Sequence, residues 1–261
     1  MMEPEFVSAS GAAIAVRYVG DPAGNLPSLV WGHGWGHSGL NLLPMAESLG
    51  RFASSTVIDF PGFGKSPMPP TVWGTADYAD AVAAWLGGLP PRPRYWIGHS
   101  FGCRVGIQIA ARHPRLLSGM VLMAAAGLPR RRSASERFRM YWRRRAFEVA
   151  KMLVPEGPRR DRLRARFGSA DYQAAAGMRP ILVSVVNENL APQAAQVKCP
   201  VLLIYGAEDR DTPPEMGRQY QSLIPGSQLV VLDGFDHLGI LDEGRHQAVH
   251  QIRQFLKSLC P

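Results

Sequence analysis

Cysteine is scarce in this chain of 261 residues: it occurs only at Cys103, Cys199 and Cys260. Three widely spaced cysteines form neither a disulfide framework nor a cysteine-based metal site, so we expect reduced thiols packed as small core side chains. No group of His and Cys residues has metal-ligand spacing, and we predict neither a metal nor another cofactor. Reduced thiols favour a cytoplasmic protein.

Long hydrophobic runs are missing as well. No apolar stretch reaches the roughly 18 residues that a membrane-spanning helix needs. The acidic start, Met1–Phe6, lacks a basic segment followed by an apolar one, so we expect neither a transmembrane segment nor a secretory signal. With 46% apolar and 19% charged residues, the composition indicates a globular protein with a sizeable core.

Strands alternate with helices along the chain, and several strands are continuous apolar runs such as Val201–Ile204. This pattern is typical of a parallel sheet covered by helices on both faces, an α/β fold. The predicted strands are Phe6–Ser10, Ile14–Val19, Leu29–Gly32, Ser55–Asp59, Tyr95–Gly98, Gly119–Ala124, Val201–Tyr205 and Gln228–Leu232. The predicted helices are Leu42–Leu49, Thr75–Leu86, Phe101–Arg112, Glu215–Leu223 and Arg245–Leu259.

One serine lies in a pattern that predicts a nucleophile. The segment Gly98–Gly102 reads Gly-His-Ser-Phe-Gly, between a predicted buried strand and a predicted helix. A strand, a Gly-x-Ser-x-Gly turn and a helix make a nucleophile elbow, in which flanking glycines let neighbouring segments approach closely. We therefore expect an exposed Ser100 hydroxyl at a helix N-terminus, where developing negative charge is favoured.

A serine nucleophile needs a base and a carboxylate that orients the base. In a parallel sheet both partners are expected just after later strands. His237 follows the last predicted strand and is the predicted base. Asp209 follows the strand before it and is the predicted acid, with Glu208 and Asp211 as competitors. The order serine, acid, histidine is that of α/β hydrolases.

The oxyanion of the tetrahedral intermediate needs fixed N–H donors. We predict the backbone amide of Phe101, directly after the nucleophile, and that of Trp35 in the glycine-rich loop His33–Gly36. The Trp35 side chain is also expected to line the acyl pocket. His33 itself is interpreted as a structural anchor of the loop.

Five segments together resemble the α/β-hydrolase superfamily. They are the His33–Gly36 loop, the Asp59–Ser66 turn, the Ser100 elbow, the Gly206–Pro213 acid loop and the terminal Gly-x-x-His ending at His237. Each is common alone, but five in this order are specific, and they cover essentially the whole chain.

The resemblance implies an eight-stranded, mostly parallel sheet built from residues 1–127 and 199–261. A helical cap, residues 128–198, would be inserted between strands 6 and 7. Within the superfamily the chain is similar to small bacterial carboxylesterases, including the pimeloyl-[acyl-carrier-protein] methyl ester esterases, and to C–C hydrolases of aromatic meta-cleavage. Dehalogenases and epoxide hydrolases have an aspartate at the elbow, and Ser100 argues against both.

The predicted cap is strongly basic. The segment from Arg130 to Arg166 contains fourteen Arg and Lys residues and four acidic residues, which gives it a net charge of +10 in a chain whose total is +8. Apolar cap residues are expected to face the substrate; the pocket candidates are Met140, Tyr141, Trp142 and Phe147. The arginines are either a solvated face or a docking surface for an anionic carrier protein, substrate or membrane surface. We do not expect nucleic acid as a partner, since no recognisable nucleic-acid module accompanies the charge.

The sequence therefore predicts a metal-free serine hydrolase that cleaves a small-molecule carboxylic ester through an acyl-enzyme. C–C, thioester, amide and perhydrolase chemistry on the same fold remain alternatives, as does a ligand sensor that turns over slowly.

Overall fold

The computed structural model describes residues 3–9, 11–22, 24, 26–129, 138–139, 141–142, 145–146 and 175–259. The strands are β1 Glu5–Ala9, β2 Ala12–Val19, β3 Ser28–Gly32, β4 Ser54–Asp59, β5 Arg94–His99, β6 Gly119–Met123, β7 Val201–Gly206 and β8 Gln228–Leu232. The helices are α1 Leu43–Ser48, α2 Thr75–Gly87, α3 Phe101–Arg112, α4 Arg179–Asn187, α5 Ala191–Ala194, α6 Pro214–Leu223 and α7 Arg245–Leu259. Short 3₁₀ turns lie at Gly39–Asn41 and Ala176–Met178.

All eight strands form one sheet in the order β1-β2-β4-β3-β5-β6-β7-β8. The pairs β1/β2 and β2/β4 are antiparallel, and every other pair is parallel. The predicted eight-stranded, mostly parallel α/β-hydrolase sheet is confirmed. Because the central strands are parallel, the loops that follow β3, β5 and β7 emerge at the same edge, where such folds bind ligands.

Two hydrophobic cores cover the two faces of the sheet, as the continuous apolar strands predict. One face packs against α2, α3, α5 and α6, with Trp96, Tyr78 and Tyr205 fully buried in it. The other face packs against α1 and α7, around Trp31 and Met45. The central strands are buried along their whole length, so the loops at their carboxyl ends start from a rigid base.

The predicted cap is described only in part. Residues 175–198 are helical where they are regular, with α4 and α5 as their main elements. Ile181, Leu182 and Val185 of α4 are buried against the core that contains α3. The boundaries of the cap, residues 128–198, stay a prediction. None of the helices in the described part of the chain has the length and hydrophobicity to cross a lipid bilayer.

Candidate active site

Ser100 occupies the sharp turn between β5 and α3. Its backbone has φ +50° and ψ −104°, a conformation that non-glycine residues rarely adopt, and its N–H donates to the Met123 carbonyl at 2.9 Å. A Cβ on Gly98 would come within 2.8 Å of the Cys103 backbone nitrogen, and one on Gly102 would collide with the Gly32 carbonyl. Both glycines are thus required by close backbone packing, and the strained serine is held from both sides.

Asp209, in the loop after β7, and His237, in the loop after β8, lie in direct contact. Nδ1 of His237 donates to Oδ2 of Asp209 at 2.8 Å, and the Asp209 side chain is fully buried. Burial by itself raises the pKa of Asp209. Hydrogen bonds from His237 and Thr212 outweigh burial and hold the pKa below its usual range. Asp209 is therefore an ionised carboxylate that fixes the orientation of the imidazole.

Thr212 completes the surroundings of Asp209, although no pattern in the sequence pointed to it. Its backbone N–H donates to Oδ1 of Asp209 at 2.8 Å, as does that of Asp211. Its hydroxyl lies 2.8 Å from Oδ2 of Asp209, 3.1 Å from the Ala124 carbonyl and 3.2 Å from Nδ1 of His237. The carboxylate thus accepts four hydrogen bonds, and two backbone donors determine which oxygen faces the histidine.

His99, directly before the serine, supports the histidine loop. Its buried ring donates from Nε2 to the His237 carbonyl at 3.0 Å, and the two rings lie 5.0 Å apart. Burial lowers the pKa of His99 to about 3, with further lowering from the neighbouring His237. His99 is therefore neutral at physiological pH, and Nδ1 is a buried acceptor with no partner among the described residues.

The loop after β3 is fixed by His33. Its Nε2 accepts from the Phe60 N–H at 3.0 Å, so its Nδ1 carries the proton and donates to the Gly34 carbonyl at 2.7 Å. Burial lowers the pKa of His33 to about 4, which keeps the ring neutral. With both nitrogens occupied, His33 is an anchor of this loop and not a base.

An aromatic cluster supports the two residues predicted to stabilise the oxyanion. Trp35 packs edge-on against Phe101 at 5.6 Å and against Phe63 at 4.9 Å, and Phe60 packs against Phe101 at 5.3 Å. Phe60 and Phe63 belong to the turn whose carboxylate, Asp59, accepts hydrogen bonds from three other positions. The rigid packing holds both backbone segments, and the first turn of α3 leaves the Phe101 N–H without a helical partner.

A cavity of about 350 Å³ opens between these loops and α4. Ser100 and His237 line it together, with Trp35 and Phe101 at its walls. From α4 it is lined by Leu182, Val185 and Val186, and Arg104 of α3 lines it as well. Its lining combines apolar side chains with convergent polar groups, a combination found in small-molecule sites.

The structure thus brings together five of the predicted site residues: Ser100, Asp209, His237, Trp35 and Phe101. It does not bring Tyr141 and Trp142 to this cavity. Their side chains are 52% and 56% exposed, and the Tyr141 hydroxyl accepts from Nε of Arg145 at 3.1 Å. Met140 and Phe147 lie outside the described residues.

One group of side chains in the described part of the chain has the spacing of a metal site. Ligand atoms of Asp209, Asp211 and His237 lie within 4.8 Å of one another. Asp209 and His237 are already joined by a hydrogen bond, so an ion there would have to displace the shared proton. The Asp209–His237 pair can orient the imidazole in the cavity that Ser100 also lines.

Comparison with known families agrees with the fold described above. Residues 27–244 match the α/β hydrolase fold family, well over half of the chain. The chain is an α/β hydrolase. This confirms the resemblance inferred from the five sequence segments.

Individual relatives of this α/β hydrolase include esterases and other hydrolases. The chain is 29% identical over 235 residues to a pimeloyl-[acyl-carrier protein] methyl ester esterase of Chromobacterium violaceum, covering 84% of this chain and 90% of that one. It is 25% identical to a 2-(acetamidomethylene)succinate hydrolase of Mesorhizobium japonicum, over 82% of each chain. A bacterial membrane phospholipase A shares the fold with a TM-score of 0.78 and 23% identity, covering 98% of this chain and 86% of that chain. The family and the two sequence relatives support hydrolase activity, and the phospholipase structure shows the shared fold.

Proposed function

We propose that this α/β hydrolase cleaves carboxylic esters through a serine nucleophile. The observation that carries the proposal is the strained Ser100 in a cavity shared with His237, whose Nδ1 donates to the buried Asp209 carboxylate. A serine hydroxyl is a poor nucleophile at neutral pH and reacts only where a base takes its proton. An ionised, fourfold hydrogen-bonded carboxylate behind an imidazole is the arrangement that makes such a base.

In the proposed mechanism Nε2 of His237 accepts the Ser100 proton as Oγ attacks the ester carbonyl carbon. The backbone N–H groups of Trp35 and Phe101 stabilise the negative oxygen of the tetrahedral intermediate. His237 then protonates the leaving alcohol, and an acyl-enzyme forms on Ser100. Water, deprotonated by His237, attacks that acyl group; the acid leaves and the serine regains its proton.

The test is covalent labelling combined with turnover. A fluorophosphonate probe should attach to Ser100 of the wild-type chain, located by peptide mass spectrometry, and a series of 4-nitrophenyl esters should be hydrolysed over many turnovers. Ser100→Ala should lose both. Cys103→Ser, three residues further along α3, is the matched control, because its buried thiol lies outside the cavity lining.

Three outcomes would contradict the proposal. Full ester hydrolysis by purified Ser100→Ala would exclude the serine as nucleophile. Labelling of Ser100 without multiple turnovers would favour the slow ligand sensor. Cleavage of C–C substrates at rates far above ester hydrolysis would leave the nucleophile in place and change the reaction.

We also propose that the basic cap segment, residues 130–166, recruits an anionic carrier of the acyl chain. Support comes from its net charge of +10 and from the carrier protein in the name of the Chromobacterium violaceum relative. Most of this segment lies outside the described residues. Single surface charges contribute little and are screened beyond about 8 Å at physiological salt, so several arginines must act together.

Replacing Arg143, Arg144 and Arg145 together by glutamate tests whether this segment recruits an anionic carrier. The triple variant should hydrolyse a small neutral ester like wild type and lose activity on an acyl chain carried by an acidic protein, and added salt should mimic the loss in wild type. Equal rates for both chains on both substrates at low salt would leave the arginines as a solvated face.

A further inference from the structure

Arg104 is a cation placed inside the candidate active-site cavity, where an ester hydrolase needs no positive side chain. It lies four residues after Ser100 on α3, one helical turn or about 6 Å along the axis. Gly102 and Gly106 face the sheet, where a Cβ would collide with Gly32 and with Trp96 respectively. Arg104 lies halfway between them in sequence, so its side chain projects from the opposite face, toward α4 and the cavity.

The described part of the protein satisfies the guanidinium only in part. Nη1 donates to the Val185 carbonyl of α4 at 2.7 Å, and within the described ranges this is its one hydrogen bond. Guanidinium carries five N–H donors. Arg104 is partly buried, and this burial lowers the pKa of its guanidinium.

The nearby carboxylates do not neutralise it. Glu188 is close enough to raise the pKa of Arg104, but it forms no ion pair with the guanidinium, and its oxygens accept instead from the backbone N–H and the hydroxyl of Thr75. Asp211 also lines the cavity, but Arg104 forms no ion pair with it or with any other described residue. A partly desolvated cation without an anion is costly unless a partner arrives with the ligand.

We propose that Arg104 binds a carboxylate on the acyl part of the substrate, which makes half-esters of dicarboxylic acids the preferred substrate class. The inference rests on the proposed ester hydrolysis at Ser100. The serine engages the ester carbonyl at the start of α3, and the guanidinium, one turn along, engages the far end of a short acyl chain. The apolar side chains of Leu182 and Val185, both buried, line the same cavity, and the reduced dielectric beside them strengthens the ion pair.

The decisive measurement is the ratio of kcat/KM for an anionic ester to kcat/KM for its neutral analogue, because Arg104 also links α3 to α4 through its hydrogen bond to Val185. Monomethyl esters of succinic, glutaric and adipic acid are compared with the matching methyl esters in which a carboxamide replaces the free carboxylate. Wild type should prefer the anionic member of a pair by about 10- to 100-fold in kcat/KM, the range of a charge-assisted hydrogen bond. Arg104→Gln should bring this ratio close to one, and Arg104→Lys should keep part of it.

Arg112→Gln is the matched control. It removes the same charge from the same helix, but Arg112 is exposed and paired with Asp80 at 2.6 Å, so the ratio should equal that of wild type. If Arg104 only positioned α4, its variants would slow both members of each pair equally. An unchanged ratio in Arg104→Gln would therefore overturn the inference while leaving the ester hydrolase intact.

A second readout does not require hydrolysis. Adipate should bind the Ser100→Ala protein in a calorimetric titration, and the added Arg104→Gln substitution should weaken this binding at least tenfold. Binding that depends on Arg104, with no ester hydrolysed by wild type, would refute the proposed function and retain the anion site. Binding unaffected by Arg104→Gln would refute the site.

Discussion

Replacing Asp209 by asparagine would test the proposed triad directly, because four hydrogen bonds decide how the new amide must point. Oδ1 accepts from the backbone N–H groups of Asp211 and Thr212, each at 2.8 Å. Oδ2 accepts from Nδ1 of His237 and from the Thr212 hydroxyl, also at 2.8 Å. An amide nitrogen cannot accept from a backbone N–H, so the carbonyl of the new side chain stays on the two backbone donors. Its NH₂ group then faces the histidine.

This orientation would put the histidine proton on the wrong nitrogen. A donor opposite Nδ1 turns Nδ1 into an acceptor, and the proton of the neutral ring moves to Nε2. Nε2 can then no longer take the proton of Ser100. In a Ser-His-Asp triad this change lowers kcat about 10⁴-fold, or about 5.5 kcal/mol of transition-state stabilisation. KM should change little, since Asp209 is buried behind the ring and away from the substrate.

The assay is steady-state hydrolysis of a 4-nitrophenyl ester by purified Asp209→Asn, with circular dichroism to show that the fold is kept. Asp211→Asn is the matched control, because Asp211 is exposed and shares the loop, and its kcat should stay within about tenfold of wild type. Wild-type kcat in Asp209→Asn would refute the reasoning. A crippled Asp211→Asn with a mild Asp209→Asn would move the acid two residues along the chain.

Three further outcomes are expected. Thr212→Val removes one donor to Asp209 and leaves the backbone N–H in place, so kcat should fall about tenfold and the acidic limb of the pH–rate profile should move to higher pH. His33 and His99 stay neutral when folded, with pKa values of about 4 and about 3, but take up protons near pH 6.5 when unfolded. Below pH 7 the unfolded chain therefore binds more protons than the folded one, and the free energy of unfolding from denaturant titrations should fall by about 4 kcal/mol between pH 7 and pH 5. In His99→Asn the fall should be about half as large. A free energy of unfolding that does not change with pH would contradict these pKa values. EDTA should leave ester hydrolysis unchanged; a loss restored by a divalent ion would show instead that Asp209, Asp211 and His237 hold a metal.

The sheet was predictable because its signal is local. Several of the predicted strands are the continuous apolar runs of buried parallel strands, and all eight predicted strands form at or within a few residues of their predicted positions. The predicted bounds of a strand are wrong where pairing with a neighbouring strand determines them. β2 begins at Ala12, two residues before its predicted start, because Ala12 pairs with Ala9 across the Gly11 turn. Such pairing depends on the neighbouring strand and is not encoded in the apolar pattern of β2.

The site was predictable to the extent that topology fixes it. Ser100, Asp209 and His237 could be chosen because each follows a strand whose carboxyl end lies at the same edge of the sheet. Thr212 and His99 could not be chosen in this way because their contacts are with Asp209 and with the His237 carbonyl, and no spacing rule points to a residue that orients another. The role of the cap side chains also could not be predicted, since helical amphipathicity gives the apolar face of a helix but not the wall of a cavity that it faces.

Arg104 differs from these missed residues, because a sequence rule does lead to it. In a nucleophile elbow the helix starts directly after the serine, and the second glycine, Gly102, must face the sheet. With 3.6 residues per turn, the position two after Gly102 lies on the opposite face, and it is also one turn from the serine. That position lies on the helix face that carries the nucleophile, toward whatever covers the site. The spacing from Ser100 therefore places residue 104 on the cavity side of α3, and the half-ester comparison tests whether its charge meets the acyl chain of the substrate.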